Sequence, residues 1–325
     1  MRRTGILSCA LAACLGVVAT GASAQGFPNR PLKIVVPLTA GGSNDVIARI
    51  LAEKLTPVLG QPVIVENRPG AGGILGTDYV AKQPADGYTL LVAPNSHIFQ
   101  QHFVVKLPYD PIADFAPITL AILVPFVLTV NASMPVTNAK EFIAFARSQP
   151  KGLSYGSAGV GTPHQLAAEL LKSMTGAQFV HVPYKGAAGV VPALLSGEID
   201  FTIGAINSLL PHFKSGKLRP LAVTSAQRTG LLSDVPTMAE AIPAPGYSID
   251  AWAGILAPAG TPKDVVAKLS EEINRILRDP ATVKDRLLPL GIEPVGSTPE
   301  RYRDAMVADQ AMFAKIVREA NLKAE

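Results

Sequence analysis

The sequence predicts an α/β protein of two lobes, one of them interrupted in the chain by the other. Three observations carry this. Short β-branched runs alternate with amphipathic helical stretches, two extended passages punctuate the alternation, and glycine-rich turns stand where strands lead into helices. The first run covers 32–37, followed by an amphipathic stretch over 44–59 and a second run over 63–65, which is the rhythm of βαβ units and a parallel sheet. Further runs lie at 88–92, 154–156, 179–182, 201–203 and 221–223, enough strands for two sheets. Residues 127–131 read as a passage out of the first unit and 249–257 as the passage back. The expected first lobe is therefore 25–130 plus 249–325, and the second 131–248. Helical patterns over 263–277 and 299–320 should pack on the first lobe, with Thr261-Pro262 and Thr298-Pro299 as starts.

The first residues read as an export signal. Arg2 and Arg3 precede an apolar stretch over 6–19, and Ala22-Ser23-Ala24 supplies an A-x-A site. The stretch is shorter than the roughly 20 residues of a membrane span. Cleavage is expected after Ala24. The alternative is a lipobox at Leu11-Ala12-Ala13-Cys14 that would leave Cys14 lipidated and the protein tethered. Both cysteines, Cys9 and Cys14, lie inside the signal, so the mature chain is expected to use neither disulfides nor a cysteine nucleophile. With 29 basic and 25 acidic residues in the whole chain, the charge is too balanced to point to nucleic acid.

Three glycine-rich turns offer free backbone N–H groups and the positive end of a helix dipole, which makes them candidate anion sites. They cover 37–45, 69–76 and 156–164. Each also serves as a plain strand-to-helix connection. What favours a ligand is that the first and third fall in different lobes and can face one cleft.

Enzyme readings fit less well. Gly152-Leu153-Ser154-Tyr155-Gly156 matches G-x-S-x-G, but a nucleophile elbow ends a strand and this run begins one. A periplasmic serine hydrolase acting on a small carboxylate ester through Ser154 or Ser157 is the runner-up. Neither glycine-rich loop fits G-x-G-x-x-G, and no G-K-[ST] phosphate loop occurs. None of His97, His102, His164, His181 and His212 pairs at i,i+4 with an acid, so neither a metal nor another cofactor is expected. His164 beside Thr162 is a candidate for the cleft lining, and Trp252 reads as a core aromatic.

Nearly the whole mature chain resembles the Bug family, the periplasmic receptors of tripartite tricarboxylate transporters. The resemblance rests on Ile34-Val35-Val36-Pro37 with Gly41-Gly42 and Asp45, on Glu66-Asn67-Arg68-Pro69-Gly70, on Gly161-Thr162-Pro163-His164, on His181-Val182-Pro183-Tyr184-Lys185-Gly186, and on Ala257-Pro258-Ala259-Gly260-Thr261-Pro262. It implies a two-lobed periplasmic binding protein fold, type II-like, with a small carboxylate held between the lobes by backbone amides, hydroxyls and water. The implied carboxylate is a di- or tricarboxylate or an aromatic one. The implied partners are the membrane subunits of such a transporter, and the implied state is a monomer in the periplasm. Carried over, the first-lobe contacts are Thr39, Ala40, Gly41 and Gly42, with Asp45 orienting their loop; Asn95, Ser96 and His97 stand nearby, His97 where relatives often have small hydroxyl residues. Across the cleft stand Ser157, Gly161, Thr162 and His164. Gly204-Ala205 departs from the acidic or amide pair of many relatives, so the resemblance implies a wall without a partner for an ammonium group.

Overall fold

The computed structural model describes residues 26–103, 106–184 and 186–319. The export signal, the cleavage site at Ala24 and Cys14 lie outside the described residues.

From the N-terminus run β1 (Leu32–Val36), α1 (Ser43–Leu59), β2 (Val63–Asn67), α2 (Ile74–Ala81), β3 (Thr89–Pro94), α3 (Ser96–Phe99) and β4 (Phe115–Val124). A second series follows: β5 (Phe126–Asn131), α4 (Ala139–Ser148), β6 (Leu153–Ser157), α5 (Pro163–Thr175), β7 (Phe179–Pro183), α6 (Val190–Ser196), β8 (Phe201–Ala205), α7 (Ile206–Lys214), β9 (Leu218–Val223) and α8 (Met238–Ala241). The chain then returns through β10 (Ala251–Pro258), α9 (Lys263–Arg278), β11 (Glu293–Pro294) and α10 (Pro299–Glu319). One sheet has the order β11-β4-β10-β3-β1-β2 and the other β7-β6-β8-β5-β9.

Neither sheet is purely parallel. β1 runs parallel to β2 and β3, and β6 to β7 and β8, as the βαβ rhythm requires. β10 lies antiparallel between β3 and β4, and β5 antiparallel between β8 and β9. Both are the strands by which the chain arrives from the other lobe. No crossover helix turns them round, so they join the parallel strands in the opposite sense.

The first crossing falls at Pro125 and not at Asn131: β4 ends at Val124 in one sheet and β5 begins at Phe126 in the other. Residues 126–130, expected in the first lobe, therefore pair within the second. Proline has no N–H to give to a ladder, so it suits the joint. The two crossings are clasped together by Thr224. Its N–H donates to the Phe126 carbonyl (2.9 Å), its hydroxyl accepts from the Phe126 N–H (3.1 Å) and lies 2.7 Å from Asp250 Oδ1, and its carbonyl accepts from the Ile249 N–H (3.3 Å).

The helices bury the faces their periodicity foretells. α9 places Val265, Leu269, Ile273 and Leu277 inward at four-residue spacing. α1 buries Ile47, Leu51 and Leu55 in the same way and ends at Gly60, whose φ of 66° no other residue type adopts as readily. α10 packs on β4 and reaches beyond the first lobe to α5, where Ser173 donates to Glu319 at 2.8 Å. One buried cluster extends from Phe115 and Tyr302 through Phe126 to Phe142, Phe179 and Phe201, so the core is continuous through the hinge.

Candidate functional site

The loop between β1 and α1 is shaped from below by Asp45. This buried carboxylate accepts from the Gly41 N–H (3.0 Å), from Arg49 Nε (2.9 Å) and from Asn67 Nδ2 (3.0 Å), and Asn67 also donates to the Leu38 carbonyl. The Arg49 guanidinium, with the Gly41 and Asn67 donors, holds the Asp45 pKa below its ordinary value against the opposing effect of burial. Asp45 thus carries a satisfied negative charge at a helix N-terminus and orients the turn. Thr39, Ala40, Gly41 and Gly42 form an exposed ridge above it, and the Gly41 N–H is already engaged by Asp45.

The corresponding loop of the second lobe is held by a network that spacing does not reveal. The Gly161 N–H donates to Gln165 Oε1 (2.7 Å), which fixes the amide so that Nε2 faces His181 Nδ1 at 3.2 Å. His181 Nδ1 then accepts, and its Nε2 carries the proton toward Ser157 Oγ at 2.6 Å. Ser157 in turn donates to the Gly159 carbonyl (2.9 Å) and accepts from the Gly159 N–H (3.1 Å). Burial lowers the His181 pKa, in keeping with a neutral ring. Thr162, at the start of α5, donates its hydroxyl to the Gly159 carbonyl at 2.7 Å. Gly161, at φ 69°, brings its backbone against the Phe103 ring of the first lobe.

This network also bears on the hydrolase reading. Ser157 is fully buried, and the imidazole beside it donates to its oxygen when it should accept a proton from it. Ser154 bonds to Asp200 Oδ2 at 2.7 Å, a structural tie between the starts of β6 and β8.

A cavity of about 450 Å³ is lined from both lobes. Ala71, Gly72, Ile74, Ser96, Gln100 and Phe103 line the first-lobe side, and Ala158, Val160, Gly161, Thr162 and His164 the second. A larger cavity of about 860 Å³ lies between α9 and the start of α10, away from all three glycine-rich loops. The structure thus brings Ser96, Gly161, Thr162 and His164 of the expected residues to one cleft, while the Thr39–Gly42 ridge is not part of this cavity's lining. In its place stands the second glycine-rich loop, whose residues the sequence reasoning flagged but did not assign to the site. Phe103 and Gln100 were missed altogether, being read as an unremarked stretch between strands.

Several expectations are corrected. His97 is no ligand donor: it is buried, stacked on Tyr109 at 5.7 Å and edge-on to Phe115 at 5.0 Å, with Nε2 2.7 Å from the Pro111 carbonyl. Burial pushes its pKa down to about 4. Asn95 is a hinge residue, its Nδ2 donating to the Asp250 carbonyl at 2.9 Å and its N–H to the Trp252 carbonyl at 3.0 Å. Gly204 borders a small void behind His164, with Thr202 and Leu209, and Ala205 packs into the core, so neither forms a wall of the cleft cavity. His164 stacks on Phe126 at 4.7 Å, and burial pushes its pKa down to about 4, so it faces the cleft as a neutral imidazole. Trp252 is core-packed, and its Nε1 donates to Asp309 at 2.5 Å.

Two α/β lobes joined by clasped hinge strands, with a cavity lined from both, define a solute-binding protein of the periplasmic type. Residues 47–322 match the tripartite tricarboxylate transporter family receptor, and the chain belongs to that family. It is 36% identical to protein BugT of Bordetella pertussis over 308 residues, 94% of each chain. Among solved structures, an R. palustris protein with adipate has a TM-score of 0.78 at 36% identity, covering 92% of this chain and 100% of that one. The periplasmic binding protein BugD has a TM-score of 0.74 at 33% identity, with the same coverage. The family is one of receptors, so the chain is a receptor and not an enzyme.

Proposed function

We propose that the protein captures a small carboxylate in the cleft between its lobes and hands it, unaltered, to the membrane subunits of a tripartite tricarboxylate transporter. It acts as a monomer in the periplasm. The observation that carries this reading is the cavity lined from both lobes at the start of α5. There Thr162 opens the helix and the first-turn N–H groups lack intrahelical partners, a setting that attracts an anion. The adipate-bound relative supports the ligand class. The site is assigned to Ser96, Gly161, Thr162 and His164, with the Thr39–Gly42 ridge closing on the ligand from the opposite lobe as the hinge bends at Pro125 and Ile249.

The test is a thermal-shift screen of mono-, di- and tricarboxylates on protein stripped of ligand by unfolding and refolding. A cognate carboxylate should stabilise by about 2.7 kcal/mol at a hundredfold excess over its dissociation constant and be recovered unchanged. Small-angle scattering should show compaction with it. No shift with any carboxylate, or chemical conversion of the one that binds, would defeat the proposal.

A further inference from the structure

The side-chain polar capacity of the cleft is small. Thr162 has its hydroxyl proton committed to Gly159, and Gln100 commits Nε2 to the Gly72 carbonyl while Oε1 accepts from Tyr109. The side-chain groups that remain for a ligand are the Ser96 hydroxyl and the neutral His164 ring, beside the N–H groups that open α5 and those of the two glycine-rich loops in the lining. Among the described residues, no lysine, arginine, aspartate or glutamate lines the cavity. The rest of its surface is apolar: Ile74, Phe99, Phe103, Val160 and Pro163. Val160 is 45% exposed, an apolar side chain held in water at the mouth of a cleft that the proposed ligand fills. Phe103 stands between Phe99, 6.3 Å away edge-on, and the Gly161 backbone, so its position is fixed by packing from both lobes.

We infer that the cleft selects a carboxylate with an apolar body, aromatic or aliphatic, over a hydroxylated or tricarboxylate one, and that Phe103 is a specificity-determining residue. The inference rests on the receptor reading above and names the class within it. A carboxylate at the end of the ligand meets the α5 start. A hydroxyl or a further carboxylate along the body lies against rings and aliphatic side chains that offer it no hydrogen bond and no counter-charge, and burying such a group unpaired is costly. A methylene or aromatic body loses nothing there and gains contact with Phe103 and Ile74.

The experiment is calorimetric titration of ligand-stripped protein with benzoate, hexanoate, adipate, malate and citrate. The tightest of the first three should bind at least about tenfold more strongly than either malate or citrate. In Phe103→Ser that preference should fall to about threefold or less, mainly through weaker binding of the apolar-bodied ligand. If Phe103→Ser does not fold, Ile74→Thr provides the same reading from the other side of the cavity. A preference below tenfold in the native protein, or one that survives both substitutions, overturns the inference while leaving the receptor reading intact. Failure of all five to bind overturns the inference; the receptor reading falls only if no carboxylate of the thermal-shift screen binds either.

Discussion

Asp250 sits where the chain returns from the second lobe, enclosed in a hinge cavity of about 380 Å³ with Glu293 of β11 and Asp309 of α10. Loss of hydration pushes its pKa up from 3.8 to about 7; the Thr224 and Phe126 hydrogen bonds work against this, and the Glu293 and Asp309 charges add to it. The nearby Arg228 is drawn off to Glu240 at 2.9 Å. Because the folded state holds this proton more tightly than the unfolded chain, the contribution to stability is most favourable below the unfolded value. It declines as pH rises between the two values and levels off above about 7. A separation of about three units at 1.36 kcal/mol each sets an upper limit of about 4 kcal/mol at pH 8. Asp250→Asn removes the charge and keeps an oxygen for Thr224. It should therefore be more stable than the native protein at pH 8, by about 2–4 kcal/mol. The gap should narrow through pH 6 and 5 and close near pH 4. Urea denaturation at each pH measures it. A gap that does not change with pH, or a variant less stable at pH 8, would refute the assignment of Asp250 as a strained hinge acid.

The remaining predictions concern packing and the second-lobe loop. Gly254→Ala should destabilise by about 3 kcal/mol in thermal melts, because a Cβ there would lie 2.1 Å from the ring of the fully buried Tyr302. Gly161→Ala should cost about 1–2 kcal/mol by denaturant titration, since its φ of 69° is left-handed and its Cβ would press on Phe103 at 3.1 Å. Gln165→Glu places a carboxylate beside His181 Nδ1 and reverses the ring's proton, so NMR titration should find the His181 pKa raised by about one unit or more above its burial-lowered position.

The alternation of β-branched runs and amphipathic stretches was legible because each element is local: 63–65 is the core of β2, and 263–277 nearly coincides with α9. The first crossing was not, because residues 115–131 are apolar almost throughout and both β4 and β5 are buried on both faces. A single proline separates two strands of identical character, and nothing in that composition tells one sheet from the other. His97 was misplaced for a different reason. Its position after a strand is local, but the Pro111 carbonyl, Tyr109 and Phe115 that enclose it return from later in the chain. The Gln165–His181–Ser157 network joins residues on α5, β7 and β6, so its tautomer follows only from a fold already formed. The role of Asp45 under its loop followed from the family resemblance alone; its physical basis is in the structure, where a carboxylate four residues beyond Gly41 reaches that N–H.

That no charged side chain among the described residues lines the cleft also bears on how a ligand arrives. A dipole's field falls off faster than that of a charge, so the pocket exerts little pull on an anion more than a few ångströms away. The lining side chains themselves therefore add little to electrostatic steering of the encounter. Added salt, which damps long-range attraction between charges, has little here to damp. Whatever salt dependence capture shows then comes from the net basic surface of the protein and not from the side chains that line the pocket.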